Sequence, residues 1–160
     1  MNAQLYGDTI RAVLPESCID ASTMRPIPDS QEVFVLPSPK GGSYDKWVIF
    51  DLLEYVPKEE LTEAIQYHFL DLVGEVSIDV NHVSSIPIKA PKDIKGSINY
   101  VVHNGTTILG SLIRLKEYDT DLLVSINFQQ QPDEQLQDTI TILESITRSC
   151  DIHDPKTLFG

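Results

Sequence analysis

Basic residues are scarce in this sequence of 160 residues. It has 12 lysines and arginines against 24 aspartates and glutamates, which gives a formal net charge of −12. Nucleic-acid binding is therefore disfavoured, because affinity for phosphate comes mainly from clustered cations. Attachment to an anionic membrane surface is disfavoured for the same reason. A field of one sign steers molecules of the opposite sign, so the composition favours a protein partner with a basic surface.

Long apolar segments and cysteine motifs are also missing. There is no run of about 18 apolar residues, and the first residues contain no long apolar core, so neither a membrane span nor a secretory signal is expected. The two cysteines, Cys18 and Cys150, lie far apart and outside any metal-binding spacing. This usage predicts two buried reduced thiols in a protein of the cytosol or nucleus.

The motifs of phosphate-binding loops and hydrolase nucleophiles are absent. The sequence contains no GxxxxGKS/T, no GxGxxG and no GxSxG. No two of its histidines have the spacing of a helical zinc site. His68 is predicted to lie on the polar flank of a helix, and His82 and His103 are predicted to lie within strands. We therefore predict no metal, no cofactor and no catalysis on a small molecule.

Alternating apolar residues and short turns predict a chain rich in β-strands. The predicted strands are Gln4–Tyr6, Thr9–Leu14, Glu32–Leu36, Trp47–Tyr55, Val76–Ile86, Ser97–Val102, Thr107–Lys116 and Leu122–Phe128. Short connections such as Asn104-Gly105 indicate antiparallel pairing, because parallel strands need long crossovers. Helical spacing of apolar residues appears in Pro57–Val73 and Asp133–Arg148. Each helix must bury one face, so we predict a single α+β domain, residues 1–160, with a helix on each face of a mostly antiparallel sheet.

The segment Ile19–Phe34 is polar, acidic and interrupted by prolines. Proline fixes φ and keeps the preceding residue extended, and Pro28–Gln31 is typical of a tight turn. In one interpretation this stiff backbone presents Asp29 and Glu32 to a cationic partner. In the other, Asp29 bonds to its own turn and Glu32 is merely solvated. Residues 1–88 hold 14 of the acids and only 5 of the bases, which mildly favours the docking interpretation.

Several short motifs carry a family resemblance. They are Leu5-Tyr6-Gly7, Ile19–Phe34, Ile49–Glu54, Tyr67-His68-Phe69, Tyr118–Leu123, Ile152–Pro155 and Phe159-Gly160. Through them the chain resembles, over nearly its whole length, the Ran guanine nucleotide release factor family. The stretch Arg25–Phe34 is the most specific of these motifs. Asp8 departs from the family pattern, because relatives tend to have a glycine there.

The resemblance implies an α/β/α sandwich similar to the PsbP subunit of photosystem II. It also implies binding of Ran and release of its guanine nucleotide, GTP in particular, without active-site chemistry. The implied partner is Ran, GTP-bound or nucleotide-free, alone or with a further Ran-binding protein, in the nucleus and cytoplasm. A monomer is expected. The partner-binding residues implied by the matching stretch are Asp20, Arg25, Pro28, Asp29, Gln31 and Glu32, among which Asp29 and Glu32 are central.

Two other functions remain open on the residues alone. A sheet covered by helices can enclose an apolar pocket, so a carrier of a small ligand or lipid is one alternative. An assembly subunit of the PsbP type is the other, although the sequence shows no transit peptide. The family resemblance favours regulation of a GTPase over both.

Overall fold

An antiparallel sheet forms the centre of the computed structural model, which describes residues 1–24, 26–38, 44–75, 77–131 and 134–153. Within these residues the sheet has seven strands in the order β3 (Ile19–Asp20), β4 (Gln31–Leu36), β5 (Lys46–Glu54), β9 (Thr120–Phe128), β8 (Thr106–Leu115), β7 (Lys95–His103) and β6 (Asn81–Pro87). Every neighbouring pair is antiparallel. The predicted sheet is confirmed, and the likeness to PsbP stays a prediction.

One helix covers each face of this sheet. The helix α1 (Leu61–Val73) packs Ile65 and Phe69 against one face, together with residues of β8 and β9. Gly110 makes this packing possible, because a Cβ there would lie 2.9 Å from the Phe69 ring. The helix α2 (Leu136–Ser149) buries its apolar side against the opposite face. The predicted arrangement of two helix layers is therefore confirmed.

A second, three-stranded sheet within the described residues extends the layer that contains α2. It consists of β1 (Asn2–Leu5), β2 (Ile10–Val13) and β10 (Asp151–Ile152), with β2 in the middle. Leu5 and Ile10 are fully buried in the same core as the apolar side of α2. The sequence pattern predicted β1 and β2 but not β10, which is only two residues long and pairs with a strand about 140 residues away.

Some predicted boundaries were wrong. The predicted strand Val76–Ile86 begins too early, since β6 starts at Asn81, and Val76 lies outside the described residues. The predicted helix Pro57–Val73 also begins too early, since α1 starts at Leu61. The second helix starts at Leu136, and the predicted start at Asp133 lies outside the described residues, as do residues 154–160 of the tail motif.

Two further expectations concern the cysteines and membrane spans. Cys18 and Cys150 are both free and buried, as predicted. In the part of the chain that the structure describes, neither helix combines the length and the apolar character needed to cross a bilayer.

Candidate functional site

The two central acids lie where a turn enters β4, Asp29 in the turn and Glu32 on the strand, and we call Asp29 and Glu32 the acidic corner. The N–H of Gln31 donates to the carbonyl of Pro28 at 2.9 Å, which confirms the predicted tight turn. The carbonyl of Ser30 accepts a hydrogen bond from the N–H of Leu52 at 2.9 Å. The corner is therefore anchored to the end of β5 and is not a free loop.

The two acids of the corner differ in their surroundings. Asp29 is exposed, whereas Glu32 is half-buried. The Glu32 Oε1 atom accepts a hydrogen bond from the backbone N–H of Tyr6 at 3.1 Å. Neither of the two sequence interpretations anticipated this bond. Glu32 thus has a structural contact through one oxygen, and its charge sits at the boundary between core and solvent.

Tyr6 connects the small sheet to the acidic corner. It lies in the turn between β1 and β2 with a φ of 51°, a left-handed conformation that is uncommon outside glycine. Its hydroxyl lies 3.0 Å from the carbonyl oxygen of Ser30 and 2.9 Å from that of Phe50. Burial, followed by the charges of Asp51 and Glu32, raises the pKa of the phenol, so the hydroxyl keeps its proton and acts as a donor.

Three of the other four predicted partner-binding residues are described: Asp20 on β3, Pro28 in the turn that enters β4 and Gln31 at the start of that strand. Asp20 is exposed, and its Oδ1 accepts a hydrogen bond from the N–H of Ser22 at 2.9 Å, so it caps a short 3₁₀ helix. Pro28 is exposed. Gln31 donates from Nε2 to the Oδ2 of Asp51 at 3.1 Å. Arg25 lies outside the described residues.

Asp51 is a buried acid directly opposite Gln31 in the register of β4 and β5. Burial raises its pKa, while the hydrogen bond from Gln31 and the proximity of His68 oppose that rise. A carboxyl whose folded pKa exceeds its unfolded value stabilises the fold below the unfolded pKa, and this stability is lost as the pH rises through the folded pKa. At neutral pH the ionised form therefore costs the folded state free energy.

We expect Asp51→Asn to raise the melting temperature at pH 7, because asparagine resembles the protonated acid and still accepts from Gln31. The gain should shrink toward about pH 4, near the ordinary pKa of an aspartate, where Asp51 itself becomes protonated. Thermal unfolding followed by circular dichroism across this range measures the difference. Asp138→Asn, an exposed change on α2, serves as the control. Equal destabilisation by Asp51→Asn at both pH values would contradict the prediction.

A buried ionic network lies nearby on the α1 face of the sheet. The fully buried Asp121 accepts a hydrogen bond from the Nε of Arg114 at 2.6 Å through Oδ1. Its Oδ2 lies 2.7 Å from the Nε2 of His68 and accepts from the N–H of Val56 at 3.2 Å. Arg114 also donates to the carbonyls of Val56 and Lys58. The network fixes the segment between β5 and α1.

The placement of His68 corrects the sequence prediction. It does not lie on a polar helix flank but is buried, because Asp121 on β9 supplies a partner 53 positions away in the chain. The other predicted strand histidines do lie in β6 and β7, where His82 contacts Asn99 and His103 contacts Glu75. Among the described residues, no cluster of three or more histidine, cysteine or acidic side chains is arranged for a metal ion.

Comparison with known proteins identifies the family. The family model described as Ran-interacting Mog1 protein matches residues 3–129. The chain is 33% identical over 151 residues to the nuclear import protein MOG1 of Saccharomyces cerevisiae, covering 84% of this chain and 68% of that protein. It is 31% identical, over an alignment 183 positions long, to the Ran guanine nucleotide release factor of Homo sapiens. This alignment covers 98% of this chain and 95% of that protein.

Solved structures agree with this match. A glutamate-to-alanine mutant of protein Mog1 superposes with a TM-score of 0.76 at 27% identity, covering 100% of this chain and 98% of that one. The crystal structure of the S. cerevisiae Ran-binding protein Mog1p superposes with a TM-score of 0.75 at 28% identity and the same coverage. From the family model, the relatives and the shared fold together, the chain belongs to the Ran-interacting Mog1 protein family.

Proposed function

We propose that this protein binds the GTPase Ran and promotes release of its guanine nucleotide. The observation that carries the proposal is the acidic corner: an exposed Asp29 beside a half-buried Glu32, both on backbone anchored to the central sheet. Membership of a Ran-interacting family and relatives named as Ran guanine nucleotide release factors support it. The net charge of −12 favours a basic partner surface.

Release follows from reciprocal coupling between two binding sites. A GTPase holds its nucleotide through a phosphate-loop lysine, backbone amides and a magnesium ion. Consider an acidic protein that pairs with cations near that pocket and prefers the empty GTPase. It lowers the affinity of the GTPase for nucleotide by the same factor by which bound nucleotide lowers the affinity of the GTPase for the acidic protein. A shift of about 10⁴-fold requires about 5.5 kcal/mol of differential binding.

Two acids can supply a difference of this size only if binding removes them from water. Exposed ion pairs contribute about 0–1 kcal/mol each, whereas truncating one member of a buried charge pair costs about 2–5 kcal/mol. Glu32 is already half-buried and held by Tyr6, so little side-chain freedom is lost when a partner covers it. We therefore place Asp29 and Glu32 at the desolvated centre of the interface.

Three of the remaining predicted residues, Asp20, Pro28 and Gln31, are placed in the rest of the proposed interface. Asp20 and Pro28 are exposed and contact the partner at the rim in this proposal, and Gln31 acts by orienting Asp51 and the start of β4. Residues 1–160 act as one domain in this proposal, as a monomer that regulates a GTPase without catalysis or cofactor of its own. The site of action is the nucleus and cytoplasm, in keeping with a relative named as a nuclear import protein.

The carrier alternative gains no support from the packing. Both faces of the central sheet are filled by apolar side chains of α1 and α2 in the described part of the chain, which leaves the layers between sheet and helix occupied. We therefore retain GTPase regulation as the single proposed function.

Titration of this protein into purified Ran loaded with a fluorescent guanine nucleotide tests the proposal. We expect faster nucleotide release with rising protein concentration, and weaker binding as salt is added, because charge pairs are screened. Asp29→Asn should slow release, and Asp138→Asn on α2 should leave it unchanged. An unaltered release rate at saturating wild-type protein would refute the proposed function.

A further inference from the structure

A groove with a volume of about 580 Å³ lies beside the start of α1. Its lining includes the acids Glu54 and Asp119, the rings of Tyr55 and Tyr67, and Pro57 and Lys58. We call it the tyrosine groove. None of these residues belongs to the acidic corner, and the family resemblance assigned none of them to partner binding.

The tyrosine groove and the acidic corner lie at the same end of the sheet. Ser30, at the start of β4, bonds to Leu52, two residues before the end of β5 at Glu54. Glu54 in turn pairs with Thr120, the first residue of β9, and Asp119 immediately precedes Thr120 in the chain. Strands lie about 4.8 Å apart, so the starts of β4 and β9 are about 10 Å apart across β5. They pair with Asp51 and Glu54, three residues apart, which adds about 10 Å along the strands and makes the separation about 14 Å. Glu32 shares the sheet face of Phe50, whereas α1, which carries Tyr67, covers the other face, so a partner surface of about 800 Å² that wraps around this end of the sheet can reach both sites.

The groove has the chemistry of a site for a cationic side chain. Glu54 and Asp119 are exposed carboxylates, and Tyr67 is 55% exposed although it is a large aromatic residue. The guanidinium of Arg114 lies 4.1 Å from the centre of the Tyr55 ring, so this ring already accepts a cation within the protein. Exposed rings next to carboxylates attract lysine and arginine more than they attract anions or purely apolar groups.

The groove is formed before any partner arrives. The segment between β5 and α1, which provides Tyr55, Pro57 and Lys58, is fixed through Val56 by Asp121 and through two carbonyls by Arg114. The N–H of Tyr55 also donates to the carbonyl of Asp119 at 3.1 Å. A preformed groove binds a side chain without the entropic cost of ordering its own backbone.

We propose that the tyrosine groove receives a lysine or arginine side chain of the same GTPase whose other cations contact the acidic corner. The inference rests on the proposed function and extends its interface from β4 across β5 to β9. Lys58 is the one lysine or arginine among the six lining residues named above, and its charge opposes such an occupant. A charge-based groove therefore predicts opposite effects for neutralising Glu54 and neutralising Lys58.

Calorimetric titration of nucleotide-free Ran with full-length variants tests this inference. Glu54→Gln and Tyr67→Ala should each weaken binding by about 2- to 30-fold, the range of a desolvated cation–π or charge contact. Tyr67→Phe should retain affinity, because it keeps the ring. Lys58→Gln should bind more tightly than wild type, because it removes a charge that repels the occupant. Asp138→Asn on α2 is the matched control for loss of one negative charge, and equal melting temperatures establish that the variants fold.

The outcomes separate this inference from the proposed function. Weak binding by Asp29→Asn together with wild-type binding by Glu54→Gln and Tyr67→Ala would overturn the groove and leave the proposed function standing. Weak binding by Tyr67→Ala with no effect of Glu54→Gln or Lys58→Gln would indicate an apolar occupant and also overturn it. Absence of binding by the wild-type protein would refute the proposed function, and the groove with it.

Discussion

Replacing Asp121 with asparagine is expected to lower the free energy of unfolding by about 3–5 kcal/mol, the cost of leaving a buried charge without its partner. Asp121 is fully buried between Arg114, His68 and the N–H of Val56. Asparagine keeps one oxygen, but its NH₂ group must face either the Nε–H of Arg114 or the N–H of Val56, and neither donor can bond to it. Arg114 would then lose the carboxylate that compensates its charge in a largely buried position.

Chemical denaturation at pH 7 measures this loss, and two variants serve as controls. Asp119→Asn changes the exposed acid two positions earlier, at a left-handed φ of 54° that asparagine tolerates, so it should have little effect. The double variant Asp121→Asn with Arg114→Met removes both charges and should be less destabilised than the sum of its single changes. If Asp121→Asn unfolds at the same denaturant concentration as Asp119→Asn, the network does not stabilise the fold.

The network also links stability to the proposed interface. The network holds Val56 and Lys58 in place. Asp121→Asn should therefore increase hydrogen exchange at the Val56 amide more than exchange in the middle of β8. The tyrosine groove would lose its fixed shape as a result. Asp121 is thus a positioning residue for the groove and makes no contact with a partner itself.

Neutralising Glu32 is expected to weaken binding to nucleotide-free Ran by about 2–5 kcal/mol, tens- to thousands-fold, without unfolding the protein. The informative change is Glu32→Gln. Its amide oxygen can still accept from the N–H of Tyr6, so the link between the small sheet and the acidic corner survives while the charge is removed. Calorimetry gives the affinity, and thermal unfolding reports the stability.

Glu32→Ala separates the two roles of this residue. It removes both the charge and the acceptor, so it should match Glu32→Gln in binding but also destabilise the fold by about 0.5–1.5 kcal/mol, the net contribution of a part-buried hydrogen bond. Asp29→Asn, at an exposed position, should weaken binding without any loss of stability. Wild-type affinity of Glu32→Gln would show that the charge is not used, whatever the alanine variant does.

Local sequence patterns were sufficient to predict most of the fold. Apolar residues that alternate along strands or recur at helical spacing depend on near neighbours alone, so the sheet, both helices and the turn at Pro28 were predictable. The family resemblance added the prediction that Asp29 and Glu32 bind the partner, which spacing alone left open. Boundaries failed where long-range contacts act. β6 begins only at Asn81, after Ile78 and Val80 pack against the core beneath α1, and α1 begins at Leu61 after a segment held by β8 and β9.

The sequence by itself determined an acidic, mixed α+β protein with a stiff acidic segment, since charge, periodicity and proline act locally. Only the tertiary structure decided the partners of particular side chains. It placed Tyr6 on Glu32, His68 and Arg114 on Asp121, and the tyrosine groove beside the acidic corner. The three hydrogen-bonded pairs join residues 7, 26 and 53 positions apart through strand order and register, and no local pattern encodes which strands become neighbours.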